Sequence, residues 1–247
     1  MTALLGDPPI RVILLDIEGT TTGVEFVYQV LFPYARNHLQ KFVYQQPEAI
    51  ASEIEALRNE HRIDTQQGLD PPSGADGPGD STLPSMVAYV EWLMDRDRKS
   101  PALKSLQGKI WQQGYRNGEL HSHVYPDVPV AFARWSSQQR DICIFSSGST
   151  LAQKLLFAHT TAGDLTPFIR EYFDTSAGAK TAEQSYRQIA TALKVPSSEV
   201  LFLSDTLKEL DAAHLAGVQT AWCIRSARHQ PEDSNHLVTR TFDEIFP

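Results

Sequence analysis

The sequence predicts an α/β fold, a Rossmann-like parallel sheet with helices on both faces, interrupted after its first strand by a helical insert. Three observations predict it. Residues 10–15 form a near-continuous apolar run, as expected of a strand that buries both faces. Residues 23–125 then carry helical period, and from Val130 onward short apolar runs alternate with amphipathic stretches, the pattern of a parallel sheet.

Each element has a local reason. The first strand ends at Asp16. Phe26, Val30, Tyr34, Leu39 and Phe42 then recur at helical spacing, and Pro33 suits the first position of a main helix. Pro47 opens a second helix with Ile50, Ile54, Leu57 and His61 on one stripe. Residues 68–80 are rich in Gly, Pro and Asp and read as a mobile loop. Helices resume at Pro84, and again after Ser100-Pro101, a cap followed by a proline. Beyond Val130, Asp141–Phe145, Tyr172–Asp174, Val200–Leu203 and Val218–Ile224 read as strands. Between them lie helices carrying Leu151, Leu155 and Leu156; Tyr186, Ile189 and Leu193; and residues 208–216, closed by Gly217. The expected division is a core of residues 1–22 and 126–247, with 23–125 as the insert.

Composition narrows the function classes. At 247 residues the chain has ample length for a buried core. Its net charge of −8 argues against nucleic acid or anionic membrane partners, since both need a cationic face. Cys143 and Cys223 lie far apart in apolar runs and read as buried free thiols of a reducing compartment. No signal peptide is read, because the short apolar start holds Asp7, Pro8 and Pro9, and no apolar run is long enough to span a membrane. The expectation is a cytoplasmic enzyme acting on a small molecule.

Three strands end in ligand-competent residues: Asp16 with Glu18, Ser146 with Ser147, and Asp205; Lys180 stands before a helix. Each alone has a structural explanation, as a helix cap or a solvated side chain. Together they supply acids for a hard cation, hydroxyls and amides for an anion, and an ammonium. Mg²⁺-assisted phosphoryl transfer needs this set. The cation takes carboxylate oxygens, so Asp16 and Asp205 fit as ligands. Lys180 neutralises phosphoryl charge, Ser146 and Ser147 suit phosphate oxygens at a helix start, and a carboxylate is an accepted nucleophile.

These segments resemble the four motifs of the haloacid dehalogenase superfamily: Asp16-Ile17-Glu18-Gly19-Thr20-Thr21, Ser146-Ser147-Gly148-Ser149, Lys180, and Ser204-Asp205 followed by Glu209 and Asp211. The insert resembles that superfamily's cap domain. Glu18, where most of its phosphatases have Asp, is similar to the enolase-phosphatase branch of methionine salvage. So are Leu31-Phe32-Pro33-Tyr34-Ala35, Gln153-Lys154-Leu155-Leu156-Phe157, Gly163-Asp164-Leu165 and Tyr172-Phe173-Asp174-Thr175.

The resemblance implies a bifunctional enzyme that enolises 2,3-diketo-5-methylthiopentyl-1-phosphate and then hydrolyses the phosphate, giving the acireductone 1,2-dihydroxy-3-keto-5-methylthiopentene. It further implies a monomer with one Mg²⁺ held by Asp16, Glu18 and Asp205, catalysis by Asp16, Glu18 and Lys180, and substrate binding by Ser146, Ser147 and Lys180. Glu18 serves either as a metal ligand or as the enolisation base. The alternative is a Mg²⁺-dependent phosphatase of the same superfamily acting on another small phosphomonoester; a phospho-accepting receiver module also gathers such residues, but the long insert argues against it. His121 and His123 are expected to be incidental. Asp95–Lys99 reads as a solvated helix end, Trp92 and Trp111 as packing, and Glu209 and Asp211 as supports for Lys180 or as surface acids.

Overall fold

The strand predicted before Asp16 is β1 (Val12–Leu15), and all four of its residues are buried. It lies between β2 (Asp141–Phe145) and β4 (Val200–Ser204), parallel to both, with Leu14 level with Cys143 and Phe202. Burial on both faces is why this stretch reads as an apolar run rather than an alternation. Completed by β3 (Ile169–Phe173), β5 (Gln219–Cys223) and β6 (Leu237–Thr239), the sheet runs in the order β3-β2-β1-β4-β5-β6 with every pair parallel. The structure is a computed structural model that describes residues 9–74, 83–226 and 234–247.

The chain divides into two compact units, Met1–Val27 with His121–Pro247, and Tyr28–Leu120. The first holds the sheet with α1 (Val24–Phe26), α6 (Asp127–Ser137), α7 (Thr150–Ala158), α8 (Glu183–Leu193) and α9 (Leu207–Leu215). Tyr186, Ile189 and Leu193 of α8 join Leu210 and Ala213 of α9 over Val12, Leu14, Phe145 and Phe202. Burying such side chains contributes about 1.5–3 kcal/mol each. Phe132 and Trp135 of α6 pack against Phe157 and Phe242 in a second aromatic cluster.

The second unit holds α2 (Phe32–Gln45), α3 (Ala51–Gln66), α4 (Leu83–Asp95) and α5 (Pro101–Arg116). Pro33 stands in the first turn of α2, as expected, although helical backbone already precedes it. Helical backbone is already present from Val24, and a π-helical turn over Val27–Leu31 leads into α2. A proline in the first turn gives up an N–H that the helix leaves unused there. Ser100 caps α5 as expected, accepting from the Leu103 N–H at 3.0 Å. Helix ends at Arg116, short of the predicted limit, and residues 68–74 are non-helical, while 75–80 of the predicted loop lie outside the described residues.

Two buried polar networks in this unit escaped the periodicity. Glu53 takes Lys109 at 2.7 Å and Ser105 at 2.6 Å, and Asp64 takes Tyr89 and Arg98, both at 2.8 Å. Arg98 is therefore not part of a purely solvated helix end; it answers an Asp64 carboxylate only 3% exposed. Trp92 and Trp111 are buried, and the Trp111 indole donates to the Leu31 carbonyl at 2.8 Å.

Among the described residues no helix is long and apolar enough to cross a membrane. Both cysteines are free and buried, Cys143 in β2 and Cys223 in β5, and burial pushes each thiol up to about 12. A raised thiol pKa keeps the nucleophilic thiolate absent at pH 8. The native protein is expected to take up no iodoacetamide at that pH, and two equivalents once unfolded; intact mass spectrometry reads both.

Candidate active site

In a parallel sheet all strand ends of one sense lie on the same edge. β1 connects onward to β2 on one side, while β4 lies on its other side, so the strand order reverses between β1 and β4. Such a reversal leaves a crevice at the carboxyl ends, where ligands of open α/β sheets bind. Asp16 stands there, 5% exposed, its N–H bonded to the Leu203 carbonyl at 3.0 Å.

The Asp16 carboxylate is held unequally. Oδ1 accepts from Lys180 Nζ at 2.6 Å and from the Ile17 N–H at 2.7 Å, whereas Oδ2 has the Ser204 hydroxyl at 3.4 Å. Lys180 also meets Glu209 Oε2 at 2.6 Å, and Ser204 Oγ donates to Glu209 Oε2 at 2.9 Å. The first turn of α8 sets the lysine: the Tyr186 hydroxyl donates to the Lys180 carbonyl at 2.7 Å.

Charge in this cluster is unbalanced. Burial lowers the Lys180 pKa, but Asp16 and Glu209 outweigh it and the pKa is raised. Burial, and then the Asp16 charge, raise both Asp205 and Glu209. Three carboxylates, Asp16 buried and Glu209 partly buried beside Lys180 and Asp205 more exposed, against one ammonium leave net negative charge that a divalent cation suits. Among the described residues no three His, Cys, Asp or Glu side chains form a group fit to hold a metal. Glu18 sits half-buried beyond Ile17, on a turn whose backbone bridges to Thr22.

That turn is tightly built. Gly19 takes φ +71°, and Gly19 N–H donates to the Thr22 carbonyl at 2.8 Å. From outside, Tyr125 N–H donates to the Thr21 carbonyl at 3.0 Å, Thr22 Oγ1 to the His123 carbonyl at 2.7 Å, and Arg225 Nε to the Thr20 carbonyl at 2.9 Å. Arg225 is itself fixed by Asp127 at 2.6 Å and by the faces of Tyr125 and Phe242. His123 thus braces the turn, with its Nδ1 3.1 Å from Thr22 Oγ1.

Ser146 ends β2, next to β1. It is buried, its N–H donates to the Phe173 carbonyl at 3.1 Å, and its Oγ accepts from the Gly148 N–H at 3.2 Å. Ser147 is exposed. The cap of α7 is Ser149, whose hydroxyl accepts from the Ala152 N–H, so the Ser146-Ser147 pair is not spent on capping. Asp211 is exposed and pairs with His236 at 3.0 Å, apart from Lys180. A cleft of about 380 Å³ in the same unit is lined by Gly19, Glu25, Tyr125, Asp205, Trp222 and Arg225 among others. Sequence spacing had no signal for Tyr125 or Arg225, which arrive from distant segments.

The haloacid dehalogenase-like hydrolase family matches residues 10–217. The chain is 45% identical over 241 residues to Enolase-phosphatase E1 of Cronobacter sakazakii, covering 96% of this chain and 97% of that one. The chain belongs to the enolase-phosphatase E1 family. Enolase-phosphatase E1 of Synechococcus elongatus is 44% identical over 239 residues, covering 96% of this chain and 98% of its own. The crystal structure of the Unknown transcript 4 protein of Saccharomyces cerevisiae superposes with a TM-score of 0.75 at 33% identity, covering 95% of this chain and 99% of that one. This member of the enolase-phosphatase E1 family is therefore an enzyme with phosphatase activity.

Gly19 is the position where the turn and Asp205 compete for space. A Cβ there would stand 2.1 Å from Asp205 Oδ2, at a φ that side chains avoid. Gly19→Ala is expected to displace Asp205 and to lower phosphate release about 100-fold or more, the cost of misplacing a reacting group by about 1 Å. Steady-state kinetics beside a melting curve separate that loss from unfolding.

Proposed function

We propose that the enzyme carries out both half-reactions that its family name joins: enolisation of 2,3-diketo-5-methylthiopentyl-1-phosphate and hydrolysis of its phosphate, yielding 1,2-dihydroxy-3-keto-5-methylthiopentene in methionine salvage. The observation that carries the phosphatase half is the asymmetric Asp16 carboxylate beside Lys180. Oδ1 is occupied by two donors, and Oδ2, with its single long contact, is the oxygen left to react.

In the hydrolytic step Asp16 Oδ2 forms a bond to phosphorus and the ester P–O bond breaks, its electrons staying on the departing enol oxygen. That oxygen takes a proton from Glu18. Glu18, now a carboxylate, takes a proton from a water whose oxygen bonds to phosphorus. The aspartyl P–O bond breaks with its electrons returning to Asp16 as a carboxylate, inorganic phosphate leaves, and Glu18 is again the acid. Lys180 holds Asp16 Oδ1 and offers positive charge to the phosphoryl oxygens. Ser146 and Ser147 bind the phosphate. Of the two roles open to Glu18, metal ligation and proton transfer, we assign it proton transfer, here and in the enolisation. Asp16 and Asp205 are the residues that would hold Mg²⁺, and the surplus negative charge around them supports that choice. When bound, Mg²⁺ supplies positive charge to carbonyl and phosphate oxygens. No second protein or nucleic acid enters the reaction.

The test follows enol absorbance and released phosphate together, with the diketone phosphate, enzyme and Mg²⁺. An enol signal that rises before phosphate appears is expected, and chelation should abolish phosphate release until Mg²⁺ is restored. Phosphate from simple monoesters without any enol from the diketone would reduce the enzyme to a plain phosphatase. Glu18→Asp shortens the acid by one methylene and should slow turnover about 100-fold, within the range for a misplaced general acid–base. Unchanged rates for both half-reactions in that variant would remove Glu18 from the mechanism.

A further inference from the structure

Gln153 lies in the first turn of α7 and is 1% exposed. Its position among Leu155, Leu156 and Phe157 belongs to the apolar face of that helix, where a leucine would fill the same space. The amide does something a leucine cannot. Nε2 donates to the Gly148 carbonyl at 2.8 Å and to the Phe173 carbonyl at 2.9 Å, so both amide hydrogens are used. The Phe173 carbonyl also receives the Ser146 N–H at 3.1 Å. One side chain therefore ties the far side of the Ser146–Ser149 turn, at Gly148, to the end of β3, against which Ser146 itself is hung.

The tie is made at a cost. Gln153 Oε1 is buried without a hydrogen-bond partner. A buried polar atom left unsatisfied is destabilising, and an apolar side chain of the same shape would avoid the penalty. The reversed amide is excluded, because it would aim an oxygen at two carbonyl oxygens. A residue that breaks the packing rule with no local compensation is expected where function needs it.

We infer that Gln153 is a positioning residue for phosphate recognition: it fixes the direction of the Ser146-Ser147-Gly148 backbone amides and hydroxyls without touching the substrate. The inference rests on the assignment of Ser146 and Ser147 to the phosphate. Free to tilt, the same turn would present its donors in several directions and bind a phosphate dianion more weakly, in the ground state as well as in the transition state.

The experiment compares Gln153→Leu with the double replacement of Ser146→Ala and Ser147→Ala. It measures the inhibition constant of inorganic phosphate, KM and kcat for a phosphomonoester, and the melting temperature. For Gln153→Leu the expected result is a rise of about tenfold in both KM and the phosphate inhibition constant. Its kcat should fall less than threefold and its melting temperature should stay near the parent's. Should Gln153→Leu not fold, Gln153→Met, which keeps the length of the side chain and loses both donors, takes its place with the same expectation. An unchanged phosphate inhibition constant in a folded Gln153 variant, while the double serine variant binds phosphate weakly, would overturn the inference and leave the phosphate site standing. Unchanged phosphate binding in the double serine variant would overturn the serine assignment, and the inference with it.

Discussion

The buried contact of Lys180 with Asp16 and Glu209, at 2.6 Å each, is the interaction on which the rest of the site depends. Asp16 and Lys180 are 164 residues apart, with β2 and β3 between them, and they meet because the strands of the sheet run parallel and end on one edge. Burying carboxylates without partners costs several kcal/mol each, so the ammonium is a structural necessity as well as a chemical asset. One ammonium does not balance three acids, however. The upward shifts of Asp205 and Glu209 express that imbalance, and they mark this edge as a place prepared for further positive charge.

Around that cluster, the backbone is held from several directions. The turn after Asp16 is braced by the Tyr125 amide, the His123 carbonyl and the Arg225 guanidinium. The turn after β2 is braced by Gln153. These braces come from segments that carry none of the reacting groups. A site that must place oxygens to within a fraction of an ångström is built on strand ends, whose positions the ladder fixes, and its turns are pinned by side chains that are themselves packed.

Some features were plain in sequence and others were not, for identifiable reasons. β1, β2, β4 and β5 were legible because strands buried on both faces must be apolar throughout. β3 was seen only from Tyr172, because it is an edge strand whose Arg170 and Glu171 face solvent, and β6, another edge strand of three residues, left no trace. The proline at position 33 was read by its commonest use and stands in the first turn of α2, but the π turn before it, over Val27–Leu31, left no signal in the sequence. The partners of Glu53 and Asp64 were not legible, since nothing in a hydrophobic pattern shows that Lys109 of another helix or Arg98 of the segment before α5 will reach them.

The sequence by itself determined the central strands, the helical insert and the candidates Asp16, Ser146, Lys180 and Asp205, because strand burial and strand-end chemistry are local properties of the chain. It left Glu209 and Asp211 equal, two acids on one short helix. Only the tertiary structure separated them: Glu209 faces the ammonium, while Asp211 lies at the surface with His236. Tertiary structure also decided which oxygen of Asp16 is the less tightly held and which uncharged residues hold the turns. Those outcomes depend on the closing of contacts between segments far apart in the chain, and no spacing rule within one segment encodes the direction from which a partner arrives.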